Sequence, residues 1–176
     1  MPVGGAKWYK EQPSNRNFLN PIGFLLKLEK FEGTDFFCQS ANLPDINMPA
    51  IEVGSPFRSL PIIPGGGVSF GDLTVSFIVD EDLKNYYSIH KWMRDNGNAD
   101  QMARTTPEKD IYTNGLLHIV TSAYNPAFVV EFRDLFPVSL TNLQFDATIS
   151  DVEYITAEVV FKHQQFFIRN KDMQPL

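Results

Sequence analysis

A mainly β domain with one helix is the fold class the sequence predicts. Fifteen phenylalanines and frequent Val, Ile and Thr fall in short runs bounded by turn residues, the composition of strands. Only one stretch carries a convincing helical period, and it begins as a strand. Leu73, Val75, Phe77 and Val79 alternate with Thr74, Ser76 and Ile78, which predicts a strand with one apolar face. Leu83, Tyr86, Ile89 and Met93 then recur at steps of three or four, one stripe of a helix able to lie against that sheet. At the junction, Asp80 is expected to cap the helix while Glu81 and Asp82 favour the positive end of its dipole. A calcium loop needs alternating carboxylates around a central glycine, and the triplet Asp80-Glu81-Asp82 has neither.

The remaining elements follow in order. Residues 1–20 are polar and broken by Pro13 and Asn15, an arm ordered only where something holds it. A single domain is expected over 21–170, followed by a short tail, 171–176. Phe24, Leu26 and Leu28 alternate with Leu25, Lys27 and Glu29, and after Glu32-Gly33-Thr34-Asp35 the run Phe36 to Asn42 is read as the returning arm of a hairpin. Between Leu43 and Val68 come Pro44, Pro49, Pro56, Pro61 and Pro64 and then Gly65-Gly66-Gly67, so an extended loop is expected over 43–68, with the glycines at a flexible tip. Long loops usually have a binding task, and Phe57 and Leu60 are apolar side chains in need of cover, from their own core or from a neighbour. Asn96 to Gly115 reads as a polar connection. Leu116 to Ser122 and Phe128 to Arg133 predict a second hairpin around Tyr124-Asn125-Pro126. Leu143, Phe145, Ala147 and Ile149 alternate with polar residues and predict a strand before the extended segment Tyr154 to Ile168.

Chemistry is sparse. Cys38 is the sole cysteine, read as a small apolar filler of a strand and consistent with a reducing cytoplasm. His90, His118 and His163 have no ligand spacing, and Gly65-Gly66-Gly67 lacks the Lys-Ser/Thr of a phosphate loop. Asp151 and Glu153 beside a turn are solubilising carboxylates rather than a glycosidase pair. No enzyme and no cofactor are expected. No run approaches the roughly 20 apolar residues of a membrane helix, so a soluble protein with no membrane partner is expected. Fifteen basic against 21 acidic residues, net −6, argue against a surface that grips nucleic acid.

This arrangement resembles the tail tube proteins of contractile-tailed bacteriophages, over most of the chain. The resemblance rests on Phe37-Cys38-Gln39-Ser40-Ala41-Asn42-Leu43-Pro44, on Pro56-Phe57-Arg58, and on Phe70-Gly71-Asp72-Leu73-Thr74-Val75 running into the helix that ends near Trp92. It continues through Leu135-Phe136-Pro137-Val138, Leu143-Gln144-Phe145-Asp146 and Ala157-Glu158-Val159-Val160-Phe161, which look like the family's last three strands.

The resemblance implies two packed antiparallel sheets, a sandwich or barrel, with a flanking helix. It implies hexameric rings stacked into a hollow tube, partnered by a sheath and by baseplate or tail-terminator proteins, in a virion assembled in the host cytoplasm. DNA would pass through without specific binding, since six copies at −6 give −36 per ring. Leu43, Pro44, Phe57, Arg58, Gly65, Gly66 and Gly67 would then lie in the arm reaching the adjacent ring, and Asp146, Asp151, Glu153 and Glu158 are candidates for an acidic lumen. The same fold serves initiator and terminator rings, the nearest alternative. A carbohydrate-binding β-sandwich is the alternative of another class, with Trp8, Tyr9, Trp92 and Tyr124 as stacking aromatics.

Overall fold

One strand organises the architecture. The computed structural model describes residues 18–30, 38–54, 56–97, 111–148 and 154–175. The strands, in chain order, are β1 (Phe24–Leu28), β2 (Cys38–Ala41), β3 (Ile46–Asn47), β4 (Ala50–Gly54), β5 (Ser59–Pro64), β6 (Ser69–Phe70) and β7 (Leu73–Ile78). Helix α1 (Lys84–Gly97) follows, then β8 (Thr113–Val120), β9 (Pro126–Leu140), β10 (Thr156–Lys162) and β11 (Gln165–Asn170). The chain is mainly β with one helix and two antiparallel sheets, as expected.

The organising strand is β9, 15 residues long. Over Phe128–Arg133 it pairs with β8 on one edge and β11 on the other; over Phe136–Leu140 it pairs with β10. It thereby belongs to both sheets, a first of order β1-β8-β9-β11 and a second of order β9-β10-β7-β2. The crossing point is Asp134, whose φ of 55° lies in the left-handed region that Asp tolerates better than most residues. The chain changes sheets again between β10 and β11, at His163-Gln164.

Period-two patterning places the core between the sheets. Leu26, Leu28, Leu117, Val130 and Phe132 face inward from the first, and Leu73, Val75, Phe77, Ala157, Val159 and Phe161 from the second. Each of the larger ones contributes roughly 1.5–3 kcal/mol by leaving water. Helix α1 adds Ile89 and Trp92 to this core. The Trp92 ring lies 6.2 Å from that of Phe161, and its indole N–H donates to the Ile111 carbonyl at 3.0 Å. A buried tryptophan carries one donor, and that donor is satisfied.

The hairpin expected around Tyr124-Asn125-Pro126 is present as β8–β9, with both strands longer than anticipated. Four other expectations need correction. The strands read as a first hairpin separate: β1 pairs with β8 and β2 with β7, on opposite sheets. Alternation marks each as a strand but carries no record of its partner. Residues 141–148 form no strand. Thr141 ends the β9–β10 ladder by donating its amide to Glu158 and accepting the Glu158 amide on its hydroxyl, and Asp146 turns the chain by accepting from the amide and hydroxyl of Thr148. Phe145 is left 74% exposed, and the last three strands are β9, β10 and β11.

At the helix start, Asp80 caps nothing with its side chain among the bonds observed. Its carbonyl closes a turn with the Leu83 amide, and Leu83 sits at φ 58°, exposed rather than on the buried stripe. Asn85 fastens the helix instead, donating to the Ile78 carbonyl at 2.8 Å and accepting the Asp80 amide at 3.2 Å. The fourth difference concerns residues 43–68. They carry three strands, β3, β4 and β5: β4 pairs with β5, and β3 with β6 just beyond, in a narrow antiparallel ribbon. Five prolines are tolerated because a two-stranded ribbon is all edge. Pro61 lies at a register shift opposite Glu52, Pro64 ends β5, and Pro56 lies in the turn.

Candidate assembly surfaces

The ribbon is held at its foot and exposes apolar side chains above it. Asn42 donates to the Asp72 carbonyl at 3.0 Å and accepts the Thr74 amide at 2.6 Å; the Gly71 amide donates to the Asp45 carbonyl at 3.0 Å. Both chain crossings are thus tied to the start of β7. Above them Ile46, Met48, Ile51, Val53 and Val68 are each about half exposed, and Phe57 at the tip is 97% exposed. Among the loop residues singled out from sequence, Pro44 is buried at the foot, Leu43 is half exposed beside it, and Arg58 follows Phe57 at the tip. The glycines are not at the tip. Gly66 and Gly67, both at φ 88°, form the turn between β5 and β6, and a side chain at Gly65 would collide with Ile51. The side chain of Leu60 lies outside the described residues.

The two outer sheet faces differ in chemistry. Register places Ser40, Thr74, Ser76, Ser139 and Thr156 on the outer face of the second sheet, with Glu158 opposite Ser76 and Lys162 at one end. Hydroxyls dominate there. Lys162 lies 3.5 Å from Asp72 across the sheet. Of the acidic candidates, Glu158 is on this face and Asp146 is in the loop after β9; Asp151 and Glu153 lie outside the described residues. The hydrogen bonds from Thr148 hold the Asp146 carboxyl below its ordinary value.

The first sheet presents ions and an aromatic ring. Glu131 accepts from Arg133 at 2.9 Å and from Arg169, and both guanidiniums lie over the Phe167 ring, at 4.9 and 5.7 Å. Burial pushes the Glu131 carboxyl up, but the bonds and charges of the two arginines outweigh it and hold it low. Where the strands end on β2, Cys38 is half-buried, and burial pushes its thiol up to about 11. Such a thiol suits packing rather than nucleophilic attack. Among the described residues no group of three or more His, Cys, Asp or Glu is placed to hold a metal, and no helix is long and apolar enough to cross a membrane. A carbohydrate platform loses a member as well, because Trp92 is in the core; Trp8 and Tyr9 lie outside the described residues.

No curated protein sequence matches the chain. Solved structures do. The tube-terminating cap of the anti-feeding prophage aligns with TM-score 0.63 at 20% identity, over 97% of this chain and 99% of that one. A chain of the sheath–tube complex of the PVC extracellular contractile injection system aligns with TM-score 0.61 at 16% identity, over 88% and 93%. Hcp1 from Flavobacterium johnsoniae aligns with TM-score 0.50 at 12% identity, over 86% and 94%. At these identities the likeness is one of fold. The sequence itself adds the family, because the profile described as phage tail tube protein matches residues 12–169, and the chain therefore belongs to the phage tail tube protein family.

Proposed function

We propose that this protein is a non-enzymatic structural subunit that forms six-membered rings, and that the rings stack into the inner tube of a contractile tail or injection particle. The observation that carries the reading is the ribbon, an apolar projection anchored at its foot, with Phe57 97% exposed at its tip. Exposed apolar surface of this extent on an otherwise closed core needs a cover. A neighbouring ring supplies one, with Phe57 as the aromatic anchor and Arg58 beside it, the residue types that dominate interface energy. Partners on this reading are other copies of the chain, a surrounding sheath, and baseplate or terminator proteins. The hydroxyl face of the second sheet, with Glu158 and without clustered arginines, suits a bore through which DNA passes without adhering. The particle is a virion or a related assembly built in the host cytoplasm.

A second reading, a specialised ring at one end of the tube, is favoured by the alignment with the tube-terminating cap, which spans 97% of this chain against 88% for the sheath–tube chain. Electron microscopy of the purified protein separates the two: open-ended tubes support the tube subunit, isolated rings the end ring. The docking surface has its own test. Phe57→Ala combined with Arg58→Ala is expected to leave circular dichroism and the melting temperature within about 2 °C of wild type while ring stacking is lost, as expected when truncation removes an interface anchor rather than a core contact. A double variant that stacks normally, or that unfolds early, excludes the ribbon as the stacking arm.

A further inference from the structure

The ribbon's foot is clamped by a group whose charge depends on pH. Phe70, the last residue of β6, meets two rings at the seam between the sheets, and Phe132 completes the cluster. Its ring lies 5.4 Å from Phe166 and 5.8 Å from His163, while His163 lies 5.3 Å from Phe132 and 5.7 Å from Phe166. His163 occupies the corner where the chain leaves β10 for β11. Both imidazole nitrogens are closed off from solvent and make no hydrogen bond of good geometry among the described residues, although the Gly71 backbone lies near enough to favour a proton there. A neutral imidazole already leaves one donor unsatisfied there; a protonated one leaves two donors and a charge.

We propose that His163 is a proton-sensitive latch: neutral, it holds Phe70 and the ribbon foot against the seam; protonated, it leaves the three-phenylalanine box and frees them. The surrounding charges do not rescue the cation in place. Asp72, two residues beyond Phe70, attracts a proton, but its carboxylate faces Lys162 at 3.5 Å, and that ammonium sits next to His163 in the chain. From β9 and β11 the neighbouring charges are Glu131, Arg133 and Arg169, which satisfy one another on the outer face of the first sheet. Burial nevertheless prevails over the attraction of Asp72 and the hydrogen bond offered by the Gly71 backbone, and holds His163 below the ordinary histidine value. The neutral form is favoured by folding. Its contribution is intact above the ordinary histidine value and is lost as pH falls below it toward the depressed one. Released, the imidazole turns toward Asp72 and water, and the bonds nearest Phe70 lose their support. Those are the Ile46–Phe70 and Asn47–Ser69 pairs and the Gly71 amide on the Asp45 carbonyl.

The consequence for assembly rests on the reading of the ribbon as a stacking arm; the latch itself does not. Hydrogen exchange on the full chain, corrected for intrinsic rates, tests it between about pH 7.5 and about pH 5, where histidine titrates. In wild type the Gly71 amide and the β3–β6 ladder are expected to lose protection at least about tenfold while the β7 and β9 amides hold, a local opening rather than global unfolding. His163→Phe, which fills the box without titrating, is expected to keep the foot protected at both ends of the range. Should that variant fail to fold, His163→Gln and an NMR titration of the wild-type imidazole replace it. Equal pH dependence in wild type and variant, a flat wild-type profile, or an imidazole that titrates at or above the ordinary histidine value overturns the latch. Stacking at low pH is scored separately: a foot that opens as expected in stacks that persist unchanged sinks the stacking-arm reading and leaves the latch standing.

Discussion

Asp134 shows how much of this architecture depends on single backbone angles. It holds φ 55° in the middle of β9, between Arg133, which pairs with Gln165, and Leu135, which pairs with Thr113. Its neighbours pair on opposite edges of β9 within the first sheet, and from Phe136 onward the strand pairs with β10 in the second, so relaxing this angle would misdirect half of a 15-residue strand. A β-branched side chain meets its worst sterics in that conformation, whereas glycine meets none. Asp134→Val is therefore expected to cost about 1–3 kcal/mol of unfolding free energy, and Asp134→Gly to stay within about 1 kcal/mol of wild type, measured by urea denaturation. Equal losses for the two would mean that the Asp carboxylate, and not the angle, is what the position requires.

At the scale of elements, the junction between β7 and α1 makes the next prediction. Asn85 bonds both the Ile78 carbonyl and the Asp80 amide, so one side chain sets where the strand stops and how the helix enters. Asn85→Ala leaves two part-buried backbone groups unpaired and is expected to destabilise by about 1–3 kcal/mol; Asp80→Ala should change stability by less than about 0.5 kcal/mol. Chemical denaturation of the two variants checks the order, and the reverse order would restore Asp80 as the cap. Sequence revealed the elements here better than their fastenings. The change of period from Leu73 to Met93 was legible because it is local, and so was the β8–β9 hairpin, whose strands are joined by a short turn. The parting of β1 and β2 onto different sheets was not legible, because a strand's alternation is the same whichever neighbour it finds. Leu143 to Ile149 has that alternation as well, yet its described part, up to Thr148, joins no ladder. Within the candidate site, Phe57 stood out as an apolar residue lacking cover, but the ribbon was hidden by prolines that only a two-stranded, all-edge element accepts.

At the scale of the whole molecule, the described strands leave open edges at β1 and β11 in one sheet and at β2 in the other. Open edges invite pairing, and a closed ring satisfies them without leading to an unlimited aggregate. Light scattering is expected to find a species of six times the chain mass, persisting on dilution; a monomer at every concentration would exclude the ring. If rings do form a conduit, the passage of β9 through both sheets acquires a mechanical meaning. Force applied to one face reaches the other along a single covalent backbone, with ladders on both of its flanks resisting together. The two faces of the subunit cannot slide past each other like stacked plates, and a shear that parts them must first unzip the strand they have in common.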